Sequence, residues 1–75
     1  MKDTLIFKIK AYGRMELAMM YSPDITPTAA YIKLNRWIDR YPGLRKKLES
    51  AGHKSNSRQF TPAQVQLIVD ALGEP

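Results

Sequence analysis

The sequence predicts a mainly α fold: a small helical domain of about four helices with a helix-turn-helix-like core and a short two-stranded β element. Three observations carry this. Two stretches begin with a threonine–proline pair, Thr26-Pro27 and Thr61-Pro62, where a hydroxyl can cap the first turn and the proline's missing N–H costs nothing. Behind each start, apolar residues recur at helical spacing. Glycine and proline punctuate the chain at Gly13, Pro23, Pro42-Gly43, Gly52 and Gly73, so the elements between them are short.

Residues 1–75, of which 44% are hydrophobic, are expected to form a single domain near the smallest size that one apolar core can support. There is no cysteine, which excludes disulfides and cysteine-based metal sites. The apolar run Leu5-Ile6-Phe7 ends at Lys8, too soon for a signal peptide or a membrane span. A cytoplasmic location is the expectation.

In chain order, residues 5–12 alternate, with Phe7, Ile9 and Ala11 on one side and Lys8, Lys10 and Tyr12 on the other. This predicts a short strand. Its backbone groups need a partner, and residues 57–60 are the candidate. Gly13 breaks the pattern. A helix over Arg14–Tyr21 follows, with Leu17, Ala18 and Tyr21 on one face, Met20 at its margin and Met15 and Met19 opposite. The N-terminal strand is expected to cover those two methionines; the other reading is a pliable contact surface. Ser22–Thr26 reads as a turn cluster.

The central helix, within residues 25–41, directs Ala30, Leu34, Trp37, Ile38 and Tyr41 inward and Thr28, Tyr31, Ile32, Asn35, Arg36 and Asp39 outward. It ends before Pro42. Pro42 is expected to open a third helix that stops at Gly52, with Leu44, Leu48 and Ala51 inward and Arg45, Lys46 and Lys47 around its outside. His53–Gln59 is wholly polar and reads as a loop, with His53 at the surface and Lys54 and Arg58 placed like a wing. The last helix has a Thr61/Gln64 capping box and a Phe60/Val65 hydrophobic staple. Its buried stripe is Val65, Ile68, Val69 and Leu72, and Gly73 ends it.

Charge narrows the function classes. The chain carries a net charge of +5 with a pI near 9.8. Residues 31–58 alone hold eight basic groups (Lys33, Arg36, Arg40, Arg45, Lys46, Lys47, Lys54, Arg58) against Asp39 and Glu49. Such concentration is the footprint of a nucleic-acid binder, the other reading being a solvated surface. The candidate nucleic-acid-binding residues are Thr28, Tyr31, Asn35, Arg36, Arg40, Lys46, Lys47, Lys54 and Arg58. Asn35 suits adenine and Arg36 guanine. Thr28 and Tyr31 suit phosphates or base edges, and the remaining cations suit phosphates. The expectation is a small DNA-binding or transcription-regulatory protein whose partner is double-stranded DNA. The alternative is a protein–protein interaction module, or a homodimer, using Met15, Met19 and Ile32.

Enzyme chemistry finds no support in the residues. His53 is the one histidine. No serine sits on a nucleophile turn, there is no glycine-rich phosphate loop, and the carboxylates are scattered singly. No metal-ligand cluster is present, and no cofactor is expected.

The stretches FKIKAYGRMELAMMYSPDITPTAA, LNRWI and FTPAQVQLIVDALGEP resemble a family of short, uncharacterised Bacteroides-type proteins that form a domain of unknown function. The resemblance implies a small, mostly helical protein over nearly the full length and carries no activity or ligand. More distantly, ELAMMYSP followed by the capped helix ending in RWI is similar to the helix-turn-helix of excisionase-like and MerR-like regulators. Their glycine-centred turn is replaced here by Ser22-Pro23-Asp24. That similarity implies a fold more than a function.

Overall fold

Thr26 and Thr61 cap as their positions require: Thr26 Oγ1 accepts the Ala29 N–H at 3.2 Å, and Thr61 Oγ1 accepts the Gln64 N–H at 3.3 Å. The computed structural model describes residues 7–75. The order of elements is β1 (Tyr12–Gly13), α1 (Arg14–Tyr21), α2 (Pro27–Arg40), α3 (Leu44–Ser50), β2 (Gln59–Phe60) and α4 (Pro62–Leu72). The chain is therefore mainly helical, with four helices and one small sheet among the described residues. No helix in that range is long and apolar enough to cross a membrane.

The two strands pair antiparallel, Tyr12 opposite Phe60 and Gly13 opposite Gln59. The Arg14 N–H extends the ladder to the Arg58 carbonyl at 2.9 Å. The expected partner segment is the one used, but the first strand is shorter than expected, and of its expected inward side only Phe7 packs against the core. Tyr12 is buried and stacks on the half-buried Phe7 at 5.3 Å, whereas Ile9 and Ala11 are exposed. The reason is local: the Tyr12 hydroxyl donates to the Lys8 carbonyl at 2.8 Å. Residues 8–12 therefore fold back on themselves, and a two-residue period does not apply there. Leu5 and Ile6 lie outside the described residues. Gly13 does more than break a pattern, because its N–H donates to Glu16 Oε1 at 3.0 Å and so opens α1.

Helix α1 buries Leu17 and Ala18. Met15 is half-buried and Met19 packs against the core, while Met20 is exposed. Helix α2 buries Ala30, Leu34 and Ile38. Two residues expected on that stripe depart from it. Trp37 is half-buried at its edge, where Tyr21 meets it edge-on at 6.2 Å. Tyr41 is exposed, because the helix ends at Arg40 and Tyr41 is already extended (φ −82, ψ 117).

Pro42 does not start a helix. The Leu44 N–H donates to the Tyr41 carbonyl at 3.1 Å with Gly43 at φ 79, ψ −7, as at the third position of a type II turn. Helix α3 thus begins at Leu44. It ends in a Schellman motif: the His53 N–H reaches the Leu48 carbonyl at 2.9 Å and the Gly52 N–H reaches Glu49 at 3.0 Å. Gly52 sits at φ 95, the left-handed geometry that this motif requires. The core is completed by Phe60, Val65 and Ile68 against Leu17, Leu34, Ile38, Leu44 and Leu48.

Gln64 does more than complete the capping box. The residue is 2% exposed. Its Oε1 accepts the Thr61 N–H at 3.0 Å and its Nε2 donates to the Ala51 carbonyl at 2.9 Å, joining the end of α3 to the start of α4. Gln64→Leu strands both backbone groups and should cost about 2 kcal/mol, against about 1 kcal/mol for Thr61→Ala. Urea unfolding with an unchanged m-value checks the order; equal losses would mean that the bridge to Ala51 holds nothing.

The Tyr21 hydroxyl donates to the Gly73 carbonyl and so fastens the end of α4 to α1. Burial, aided by the Glu74 charge, pushes the Tyr21 pKa up to about 12. A pKa raised on folding stabilises the protonated phenol, so this contribution is intact below pH 10 and is lost as pH climbs towards 12. Tyr21→Phe should remove that part of the alkaline destabilisation seen by circular dichroism.

Candidate functional site

The buried stripe of α2 leaves two flanks in solvent, and each lines a cleft of ≈ 480 Å³. On the first flank Lys33, Arg36 and Arg40 surround Ile25, Ala29, Ile32 and Trp37. Their spacing (i, i+3, i+7) stacks the three cations on one side of the helix. Lys33 Nζ lies 5.1 Å from the centre of the Trp37 ring, a cation–π contact. The one ion pair among the described residues is Arg45–Asp39, so none of the three has a carboxylate partner there. Ile32, 49% exposed, stands at the rim.

On the second flank Tyr31, Asn35 and Asp39 face Arg45 and Glu49 of α3, with His53, Lys54 and Ser55 closing the end. Arg45 Nε donates to Asp39 Oδ1 at 2.8 Å and Arg45 Nη2 donates to Asn35 Oδ1 at 2.9 Å. Asn35 Nδ2 donates in turn to the Tyr31 carbonyl at 3.1 Å. Both ends of the Asn35 amide are thus used within the chain. Arg45 is clamped to α2 rather than lying free on the outside of α3. The Arg14 guanidinium sits 5.4 Å from the centre of the half-buried Tyr31 ring.

The candidate residues therefore divide. Arg36 and Arg40 come together with Lys33; Tyr31, Asn35 and Lys54 come together on the opposite flank. Thr28 is exposed on the ridge between. Lys46 is exposed in neither cleft, Lys47 lies beside Asp70 towards α4, and Arg58 is exposed in the loop. Reasoning from the chain alone missed Lys33, Arg45, Glu49 and Ser55 as site residues. The Lys33–Trp37 spacing of four was a usable signal. No spacing rule reaches from Asp39 to Arg45 across the Pro42-Gly43 turn.

His53 corrects the expectation of a surface histidine. It is 3% exposed and stacks on Phe60 at 4.7 Å between ring centres. The Schellman turn directs the chain inward at this point, so a polar stretch delivers its first side chain to the core. Neither ring nitrogen makes a hydrogen bond of ordinary geometry, because the neighbouring Gln64 amide is engaged by Thr61 and Ala51, and a buried polar group left so costs about 1–3 kcal/mol. Burial pushes the imidazole pKa below 6.5 and the Arg45 charge adds to this, while Gln64 and Glu49 pull the other way.

The domain of unknown function DUF4248 matches residues 8–75. The chain belongs to this family. No curated protein and no solved structure matches it. Membership of DUF4248 carries no activity, and the match is silent on a Bacteroides origin and on likeness to excisionase-like or MerR-like regulators. Among the described residues no group of three or more His, Cys, Asp or Glu side chains could hold a metal ion.

The His53 environment sets a pH dependence. A histidine pKa lowered on folding means that the unfolded chain binds the proton more tightly. Stability is therefore full above pH 6.5 and declines as pH falls from there through the folded-state value. His53→Leu should flatten that decline below pH 6.5 in urea titrations. An unchanged slope would place the titration elsewhere.

Proposed function

We propose that this DUF4248 chain is a small cytoplasmic DNA-binding protein of the transcription-regulatory kind, with α1, the Ser22–Thr26 connection and α2 acting as a helix-turn-helix. The observation that carries this reading is the row formed by Lys33, Arg36 and Arg40 on the solvent side of a capped helix, each without a carboxylate partner among the described residues. Duplex DNA presents phosphates at a spacing that such a row can follow, and displaced counterions would supply the affinity. Thr28 and the Ile32 side chain, on the adjoining ridge, suit a backbone contact and a thymine methyl respectively.

A second reading has its own support. Ile25 and Ile32 are exposed beside the half-buried Trp37 and among the same cations, a combination that also fits a protein partner with an acidic, apolar surface. Met15 and Met19 contribute less to it than expected, since both are half-buried and Met19 packs on the core.

Fluorescence anisotropy with random-sequence duplex separates the two readings. DNA binding should weaken steeply between about 50 and 200 mM salt. Arg36→Ala and Arg40→Ala should each reduce the log–log slope by about one. Affinity untouched by salt or by these variants would rule out the DNA interface. Ile32→Asp abolishing a salt-resistant association with a protein would favour the second reading.

A further inference from the structure

We propose that the cleft between α2 and α3 is a binding site for a small zwitterion, a single molecule bearing a carboxylate and an ammonium group, as a free amino acid does. This inference is independent of the DNA reading, which uses the opposite flank of α2.

Three features point to it. The cleft measures ≈ 480 Å³, within the range of small-molecule sites. Its wall presents both signs of charge in equal number: Arg45 and Lys54 against Asp39 and Glu49. A simple anion would meet the two carboxylates and a simple cation would meet the guanidinium and the lysine. A molecule carrying both charges can satisfy each, which is specificity by complementary and repulsive contacts together.

The second feature is preorganisation. Arg45 is held from two sides, by Asp39 at 2.8 Å and by Asn35 at 2.9 Å, and Asn35 is fixed by the Tyr31 carbonyl. A guanidinium has five N–H donors, and these two bonds leave three of them for a carboxylate in a fixed direction. Little side-chain freedom remains to be lost on binding. The Glu49 carboxylate, one turn further along α3 on the same wall, has no ion-pair partner among the described residues and suits an ammonium.

The third is His53. It is more than nine-tenths buried where it lines this cleft, and its ring nitrogens make no hydrogen bond of ordinary geometry, since the Gln64 amide that neighbours them is engaged by Thr61 and Ala51. Buried polar groups without partners are uncommon and call for an explanation. A ligand in this cleft that reaches the imidazole would supply such a hydrogen bond.

The test uses the full chain and a panel of free L-amino acids, read by NMR at the His53 ring and at the Arg45 Nε–H and by calorimetry. The expected result is a saturable shift at both positions for at least one amino acid. Its N-acetylated form, which lacks the ammonium, and its amide, which lacks the carboxylate, should each bind about tenfold more weakly. Glu49→Gln and Lys54→Gln, at exposed side chains outside the core, should weaken binding to a similar degree without unfolding the protein. The proposal is overturned if no amino acid gives a saturable shift, if the N-acetylated form binds as well as the free one, or if both variants bind normally.

Discussion

One buried amide holds the last helix of this molecule in register with the helix before it. Gln64 joins the last turn of α3 to the first turn of α4 through Ala51 and Thr61, and the intervening loop must close within that span. The closure sets His53 against Phe60 and Phe60 opposite Tyr12. That pairing in turn fixes where β1 stops and α1 begins. In water the two hydrogen bonds of Gln64 would be nearly neutral, but inside the core no solvent replaces them. A side chain of modest net value thus becomes the constraint on which the sheet, the buried histidine and the α3 wall of the polar cleft depend.

Stability and surface charge are largely separate in this chain. Among the described residues eleven apolar side chains form the buried core, and the caps and turns that position them draw on Thr26, Gly43, Gly52, Thr61 and Gln64 rather than on ion pairs. The Arg45–Asp39 pair is partly open to water, with the two side chains 30% and 61% exposed, so its contribution is at most about 1 kcal/mol. Its effect is geometric: it holds a guanidinium at one edge of a cleft. Lys33, Arg36 and Arg40 form no ion pair among the described residues, and Lys33 meets the Trp37 ring. This unpaired row of cations is the feature on which the proposed DNA reading rests.

What the amino-acid sequence disclosed followed from the range of the forces involved. Both threonine–proline helix starts, the capping box, the hydrophobic staple and the Gly52 stop were legible because each is settled within four or five residues. The span of α1 was legible for the same reason. Residues 8–12 defeated a two-residue pattern because one hydroxyl, that of Tyr12, finds the carbonyl four residues back. Pro42 defeated the helix-start rule because Gly43 takes a left-handed turn first. His53, Gln64 and Arg45 were read as a surface residue, a cap residue and a solvated cation. Each proved to be defined by a partner on another element, namely Phe60, Ala51 and Asn35. The candidate interface divided for the same reason, since helical spacing gives a side chain's direction but not what stands opposite it.

That division follows from α2 itself and limits how any partner can lie on it. With Ala30, Leu34 and Ile38 inward, Lys33, Arg36 and Arg40 fall on one flank, and Tyr31, Asn35 and Asp39 fall on the other at a spacing of four. The Thr28–Ile32 ridge runs between them. An anionic polymer laid squarely along this ridge would also meet Asp39, whose carboxylate is paired with Arg45. Shifted towards Trp37, it would meet three cations set among apolar side chains, with no carboxylate in the lining. The Asn35–Arg45 clamp has the same consequence, because using Asn35 to read a base would first break a bond that holds α3 to α2. The physical asymmetry of one helix therefore keeps the cationic flank that the proposed DNA reading needs apart from the polar flank that the proposed zwitterion site needs.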